Sequence, residues 1–253
     1  MPVRLDMTNF RQIIRSAKAV RKVDDWRMDI QSDWIRLRTF SECKTLYLDH
    51  VLPSSLFSDF ETDGASSSFW INIDPNEEDF KEPLRFGPSN AVVLMFPCER
   101  ADRMMVIQSG NLTYRFSQIE PVYRLRDPPT SDTIATVSLQ HELFDRAVQV
   151  ADLVGEKMRI EVDPDVGHVK FSSQNSLGDQ FGYTVSGDQI SELSGDAVSV
   201  TSSIARLRNV TKRIPDSATV VLHLTHDHLK LQITGHIPDA TLEIYIAQYR
   251  NRI

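Results

Sequence analysis

The sequence predicts an α+β protein built from two repeated halves, each with helices packed on antiparallel sheet. Three observations lead to that class. The stretch "FGPSNAVVLMFPCERADRMMVIQSG" (86–110) returns as "RIPDSATVVLHLTHDHLKLQITG" (213–235). Pro88, Ala91, Val93 and Leu94 recur as Pro215, Ala218, Val221 and Leu222, with one residue inserted after the alanine. The stretches "FRQIIRSAKAV" (10–20) and "FDRAVQVADLV" (144–154) share the spacing i, i+3, i+4, i+7, i+10 of apolar residues, which lines one stripe of an α-helix. After each come short runs alternating apolar and polar residues, the signature of half-buried antiparallel strands.

Along the chain, the first half opens on the helix marked by Phe10, Ile13, Ile14, Ala17 and Val20. The strand candidates "WRMDIQ", "WIRLRTF" and "TLYLDHVL" follow. A second helix is expected within "DPNEEDFKEPLRFG" (74–87), with Asp74 as N-cap ahead of Pro75 at the first helical position. Glu77, Glu78 and Asp79 there read as first-turn helix charge, not as an acid/base pair. The strand pair headed by Pro88 closes this half. "IEPVYRLRDPPTSDT" (119–133) has three prolines and little periodicity, as in an extended connector stiffened by Pro128 and Pro129. The expected division is therefore 1–118, a connector at 119–134, and 135–253. In the second half the helix at 144–154 precedes "KMRIEVD", "HVKFSS" and "QFGYTVS". The helix in "TSSIARLRNVTKRIP" (201–215) is opened by Thr201 or Ser202 and stopped before Pro215. The hairpin headed by Pro215 ends the repeat.

Composition narrows the function classes. With 253 residues, 41% hydrophobic and 25% charged, the chain suits a soluble globular protein with one large core or two of usual size. Its longest apolar run, "AVVLMFPC" (91–98), is far short of the ~20 residues of a membrane span. The opening "MPVRLDMTNFRQ" lacks the apolar segment of a secretory signal. Cys43 and Cys98 have no ligand-like spacing and fit a reducing intracellular compartment, with Cys98 simply at a strand end. No GxGxxG, P-loop, GxSxG or HExxH pattern occurs. His223, His226 and His228 in "HLTHDH" read as turn and pocket residues rather than a metal site. No catalytic residue, metal or cofactor is expected.

Net charge is −7, from 35 acidic and 28 basic side chains, which on average argues against a non-specific nucleic-acid binder. The distribution says more. Residues 7–23 hold Arg11, Arg15, Lys18, Arg21 and Lys22 without an acid, and 201–213 hold Arg206, Arg208, Lys212 and Arg213 without an acid. At about 100° per residue, Arg11, Arg15, Lys18 and Lys22 form a stripe roughly opposite Phe10, Ile14 and Ala17. On the later helix Ile204, Leu207 and Val210 mark the buried side. Solvated helix faces normally mix both signs. Two helices carrying bases alone, in an acidic protein, imply a polyanion bound on one surface only. The other two helices dilute the pattern, since 74–87 carries five acids beside Lys81 and Arg85, and Arg146 stands near Glu142, Asp145 and Asp152.

This ordered set resembles the sliding clamps of the proliferating-cell-nuclear-antigen (PCNA) family. The resemblance covers essentially the whole chain. It is best in "FDRAVQVADLVGEKMRIEVD…VKFSS", in "RLRNVTKRIPDSATVVLHL" with its Thr211–Lys212 pair, and in the closing "LEIYIAQYRNRI". "FRQIIRSAKAV…MDI…IRLRTFSECKTLYL" carries it in the first half. It implies a DNA-clamp fold without enzymatic activity. Three copies would close head to tail into a homotrimeric ring with strands outside and helices lining a hole for double-stranded DNA. The implied partners are a replicative DNA polymerase, a clamp loader, and PIP-box-type peptides of nucleases and ligase, all met inside the cell with its DNA.

Under the resemblance, the DNA-facing positions carry over onto Arg11, Lys18 and Lys212. Helical phase adds Arg15, Lys22, Arg208 and Arg213, and Lys81 and Arg146 join from the other two helices. Bases facing the hole through water would attract DNA weakly and without sequence readout, so that topology does the retaining. Subunit closure would pair "NLTYRFSQI" (111–119) with "DQFGYTVSG" (179–187), through Tyr114, Phe116, Phe181, Tyr183 and Val185. A pocket for partner peptides would be walled by Phe40, Lys44, Thr45, Val122, Leu125, His228, Tyr245, Ala247 and Gln248. The family's tail usually has Ala-Pro where this chain has Ala247–Gln248, and a proline usual near His228 is missing, so an altered peptide preference is expected. Two other readings remain open at this point: a checkpoint-type subunit that assembles with different chains, and a monomeric polymerase accessory protein. An enzyme on a duplicated scaffold is disfavoured by the missing motifs.

Overall fold

The computed structural model describes residues 2–20, 25–41, 43–60, 66–72, 91–96, 104–120 and 127–249. The helix expected at 74–87, Lys81 on it, Lys22, Cys98, Val122 and Leu125 lie outside the described residues. The chain divides into two compact units. One comprises Met1–Lys44, Leu48–Arg126 and Ile237–Thr241; the other comprises Thr45–Tyr47, Asp127–His236 and Leu242–Ile253. Among the described residues no helix is long and apolar enough to cross a membrane.

In the first unit, β1 (Pro2–Asp6) runs straight into α1 (Met7–Ala17). Asp6 makes the switch as N-cap, its Oδ1 accepting the Asn9 N–H at 2.8 Å. The helix thus starts a turn ahead of Phe10 and ends before Val20, which is buried beyond it. Next come β2 (Asp25–Ile30), β3 (Trp34–Phe40), β4 (Leu46–Pro53), β5 (Asp59–Phe60), β6 (Ser67–Asn72), β7 (Ala91–Met95), β8 (Met104–Ser109) and β9 (Leu112–Ile119). They lie in the order β4–β3–β2–β6–β9–β8–β7–β1–β5. Phe10, Ile13, Ile14 and Ala17 of α1 meet inward-facing Trp26, Leu37, Met105 and Ile107 around a common apolar space. Each such side chain withdrawn from water is worth roughly 1.5–3 kcal/mol.

The opposite face of this sheet carries a buried ion network. Asp29 accepts from Arg27 Nε at 2.9 Å, from Arg38 Nη2 and from Ser68 Oγ, while Asp49 accepts from Arg36 Nε at 2.8 Å. Asp29 and Arg38 are only 7% and 8% exposed. Burial alone would raise the Asp29 pKa, but the hydrogen bonds from Ser68, Arg38 and Arg27 outweigh it and hold the carboxyl below its ordinary range.

The second unit contains β10 (Ala135–Gln140), α2 (His141–Asp152), β11 (Lys157–Asp163), β12 (His168–Gln174), β13 (Gln180–Ser186), β14 (Ile190–Gly195), β15 (Val198–Ser203), α3 (Ile204–Thr211), β16 (Thr219–Leu224), β17 (His228–Thr234) and β18 (Thr241–Ala247). Strands β14–β10–β16–β17–β18 are neighbours in that order, and β13–β12–β11–β15 form a separate sheet. Val220, Leu222, Leu231, Ile233, Leu242 and Ile244 are buried at alternate positions, as a one-sided sheet requires. Phe144, Ala147, Val148 and Ala151 of α2, with Ile204, Leu207 and Val210 of α3, close the core. Gly195, at φ +98°, lets β14 close on β10, because a Cβ there would collide with the Ile134 carbonyl. The helix α3 does not open at Thr201 or Ser202. Both stay in β15, paired with Arg159 and Met158 of β11, and Ser203 is the N-cap. Sheet pairing outcompetes their capping preference.

Burial lowers the pKa of three histidines in this unit: His141, His228 and, to about 4, His236. The unfolded chain therefore binds more protons than the folded one as pH falls from 6.5 toward 4, and stability drops across that window. His236 alone accounts for up to about 3 kcal/mol. Melting temperature is expected to be flat above pH 6.5 and to decline below it; a melting temperature that does not change down to pH 4 contradicts these assignments.

Candidate nucleic-acid interface and partner site

The base-only helices keep their pattern in three dimensions. On α1, Arg15 is exposed and Arg11 and Lys18 are half-buried, on the side away from Phe10, Ile14 and Ala17. On α3, Lys212 is the exposed C-cap and Arg206, Arg208 and Arg213 are half-buried. Several bases sit near helix C-termini, where the macrodipole favours them by about 0.3–1 kcal/mol each. That accounts for some bases at the ends, but not for the absence of acids along two whole helices.

Two members of the expected set form ion pairs within the chain. Arg208 is ion-paired with Asp152 of α2, a link between α2 and α3. Arg146 donates to Glu142 at 3.1 Å, an exposed i,i+4 pair. Arg11, Arg15, Lys18, Lys212 and Arg213 lie on α1 or at the C-terminal ends of α1 and α3.

Of the two candidate closure strands, β13 is a sheet border and β9 is only partly paired on one side among the described residues. Strand β13 pairs with β12 along one side and is the border of its sheet. Strand β9 pairs with β8 throughout, but with β6 only at Trp70↔Ile119 and Ile71↔Gln118. Tyr114, Phe116, Phe181 and Tyr183 are half-buried, as residues awaiting further cover would be. Val185 is 0% exposed and belongs to the unit's own core, so it is withdrawn as a contact.

Of the expected peptide pocket, the second unit gathers Thr45, His228, Tyr245, Ala247 and Gln248. Ala247 N–H donates to the Thr45 carbonyl at 2.9 Å, and the Tyr245 ring lies 5.6 Å from that of His228. Phe40 and Lys44 belong to the first unit, where Lys44 adopts φ 54°, a left-handed conformation costly for a non-glycine residue. Tyr47 was not anticipated. It packs edge-on to Tyr245 at 5.7 Å, and its aromatic character in the alternating run "TLYLDHVL" was the available signal.

The tail departure has a structural cause. Gln248 N–H donates to the Asp227 carbonyl at 3.1 Å and its Nε2 donates to the Thr225 carbonyl at 3.0 Å. A proline there would lose the first of these bonds. Tyr249 N–H then donates to Thr201 at 2.9 Å, with the Lys157 ammonium 3.9 Å from the Tyr249 ring centroid. The three histidines do not converge. His223 bonds Thr136 and Gln232, His226 is exposed in the turn, and His228 Nδ1 faces Thr225 Oγ1 at 3.2 Å.

No family model matches the sequence. Among known proteins, the chain is 26% identical over 223 residues to the DNA polymerase sliding clamp of Halobacterium salinarum, spanning 86% of this chain and 85% of that protein. It is 24% identical over 204 residues to that of Natronomonas pharaonis, spanning 80% and 79%. Among solved structures, A. fulgidus PCNA bound to the C-terminal region of FEN-1 matches with TM-score 0.85 at 15% identity, covering 100% of this chain and 99% of that one. PCNA from Thermococcus kodakaraensis matches with TM-score 0.82 at 15% identity, covering 98% and 99%.

Two repeats of helices packed on antiparallel sheet give this chain the DNA-clamp fold of the PCNA structures. In sequence the chain is similar to DNA polymerase sliding clamps over 80–86% of its length.

Proposed function

We propose that three copies of this chain close into a ring around double-stranded DNA and tether a replicative polymerase to its template. The observation that carries the reading is that β13 borders its sheet in one unit, while β9 in the other is, among the described residues, paired on its β6 side only at Gln118 and Ile119, which suits head-to-tail closure. Arg11, Arg15, Lys18, Lys212 and Arg213 supply water-mediated attraction to the phosphates, without enzymatic activity. A clamp loader opens the ring, and the site around Thr45, Tyr47, His228 and Tyr245 receives peptides of nucleases and ligase. All of this takes place inside the cell with its DNA.

The FEN-1 segment on A. fulgidus PCNA supports the peptide reading, and a Sulfolobus tokodaii structure holds PCNA2 complexed with PCNA3. Mass in solution tests closure directly. The chain alone should sediment at three times 28.8 kDa. A particle that stays at 28.8 kDa at every concentration contradicts self-closure and favours a ring made with different chains.

A further inference from the structure

Strand β14 borders its sheet, with β10 on one side and, among the described residues, no strand on the other. It is 6 residues long, whereas β5, the border strand of the first unit, has 2. An edge of that length leaves a row of N–H and C=O groups open, a template for another extended chain. The strand is tied down at both ends. Ser191 Oγ lies 3.1 Å from the Ser138 carbonyl oxygen and 2.9 Å from Ser138 Oγ, and Asp196 N–H donates to the Ile134 carbonyl at 2.9 Å. Ser191 is the extra residue of a bulge opposite Ser138 and Leu139, which leaves 192–195 in regular register with β10.

The two faces of β14 differ. Ile190 and Leu193 pair with the fully buried Leu139 and Val137, so they point toward the core, yet both are only half-buried. Glu192 and Ser194 are exposed on the opposite face. The charge here is of one sign. No Lys, Arg or His occurs from 171 to 205, a stretch that holds Asp179, Asp188, Glu192 and Asp196. Asp188, Glu192 and Asp196 are exposed on or beside the edge, and exposed Asp132, two residues ahead of Ile134, adds a fourth acid at the Asp196 end. None of these four is ion-paired among the described residues. Strands β10 and β16 carry no Lys or Arg either, and Lys230 of β17 is ion-paired with Glu243 at 2.6 Å.

We infer that the open edge of β14 takes up an extended basic segment of a partner protein by strand addition. This goes beyond the ring reading and does not depend on it, since β14 is neither of the closure strands. Main-chain hydrogen bonds to the edge supply affinity, and side-chain alternation supplies selectivity. Lys or Arg at every second position of the incoming strand would lie beside Glu192 on the exposed face, with Asp188 and Asp196 at the ends. The apolar residues between them would complete the cover of Ile190 and Leu193. A second copy of β14 is the wrong occupant, because pairing two such edges sets acid against acid. Strands β10, β16 and β17 stand between β14 and β18, so the edge is about 19 Å from the strand that carries Tyr245, and one partner can hold both.

A labelled peptide of alternating lysine and valine, titrated with the full chain at about 0.05 M salt and read by fluorescence anisotropy, tests this. It should bind, and a peptide of alternating glutamate and valine should not. The lysine peptide with every backbone amide N-methylated keeps its charge but donates no hydrogen bond, and should bind at least about 10-fold more weakly. The variant Glu192→Lys/Asp196→Lys should weaken binding of the unmodified peptide at least as much. Its melting temperature should match the wild type, because both side chains are exposed. Failure of the lysine peptide to bind, equal binding of the methylated or the acidic peptide, or undiminished binding by the variant overturns the inference. A change in the mass of the protein alone on Glu192→Lys/Asp196→Lys would make a second copy the occupant, and would overturn it too. Peptide binding is read whether the chain sediments as a monomer or as a ring, so failure of ring closure and failure of this inference are told apart.

Discussion

Replacing Arg11, Lys18 and Lys212 with glutamate is expected to abolish stimulation of DNA synthesis while leaving the chain folded. Each change converts an attraction for phosphate into a repulsion on a helix that carries no acid of its own. Binding to duplex DNA scales steeply with the number of neutralised phosphates, so three reversals per chain should weaken it by more than about 100-fold at moderate salt. The cost to folding is small by comparison. Lys18 and Lys212 are helix C-caps, where the unfavourable dipole term is about 0.3–1 kcal/mol each. The matched control is Arg159→Glu with Lys170→Glu, two exposed bases on β11 and β12 rather than on a helix; it should change little. Processive synthesis on a primed template reads both. Undiminished stimulation by the triple variant removes the DNA-face assignment.

The largest loss of stability is expected from Asp29→Ala. Arg38, 8% exposed, donates to this carboxylate, as do Arg27 and Ser68. Deleting the carboxylate leaves the Arg38 guanidinium in a low-dielectric site without that counter-charge, which typically costs about 3–5 kcal/mol. Replacing Asp29 and Arg38 together by apolar residues of similar volume should cost far less, because the attraction and the desolvation penalty disappear together. Denaturant midpoints of the single and double variants measure the difference. A single variant that loses less than about 1 kcal/mol would show that the network is well solvated.

The periodic parts of the fold were readable because each depends on local pattern. The apolar stripe at Phe10, Ile13, Ile14 and Ala17 gave α1, and alternation in "KMRIEVD" and "HVKFSS" gave β11 and β12. Failures came where tertiary pairing decided the outcome. Thr201 and Ser202 are good caps by chemistry, yet β11 holds them in a strand. Val185 alternates like an edge residue but is fully buried. Helical phase placed Arg208 and Arg146 on polar faces but could not reveal their ion pairs with Asp152 and Glu142. Of the expected peptide pocket, His228 and Tyr245 lie side by side, while the contact of Tyr47 and the double hydrogen bond of Gln248 depend on residues far apart in sequence.

Retention on circular against linear duplex DNA tests topological encirclement most directly. Subunits diluted until they separate, then concentrated together with a nicked circular duplex, should reclose around it and survive a wash in about 1 M salt. Cutting the circle once should release the protein, because a ring can then slide off an end. Release by the salt wash alone, or equal retention before and after the cut, would mean that the chain holds DNA by contact and does not surround it.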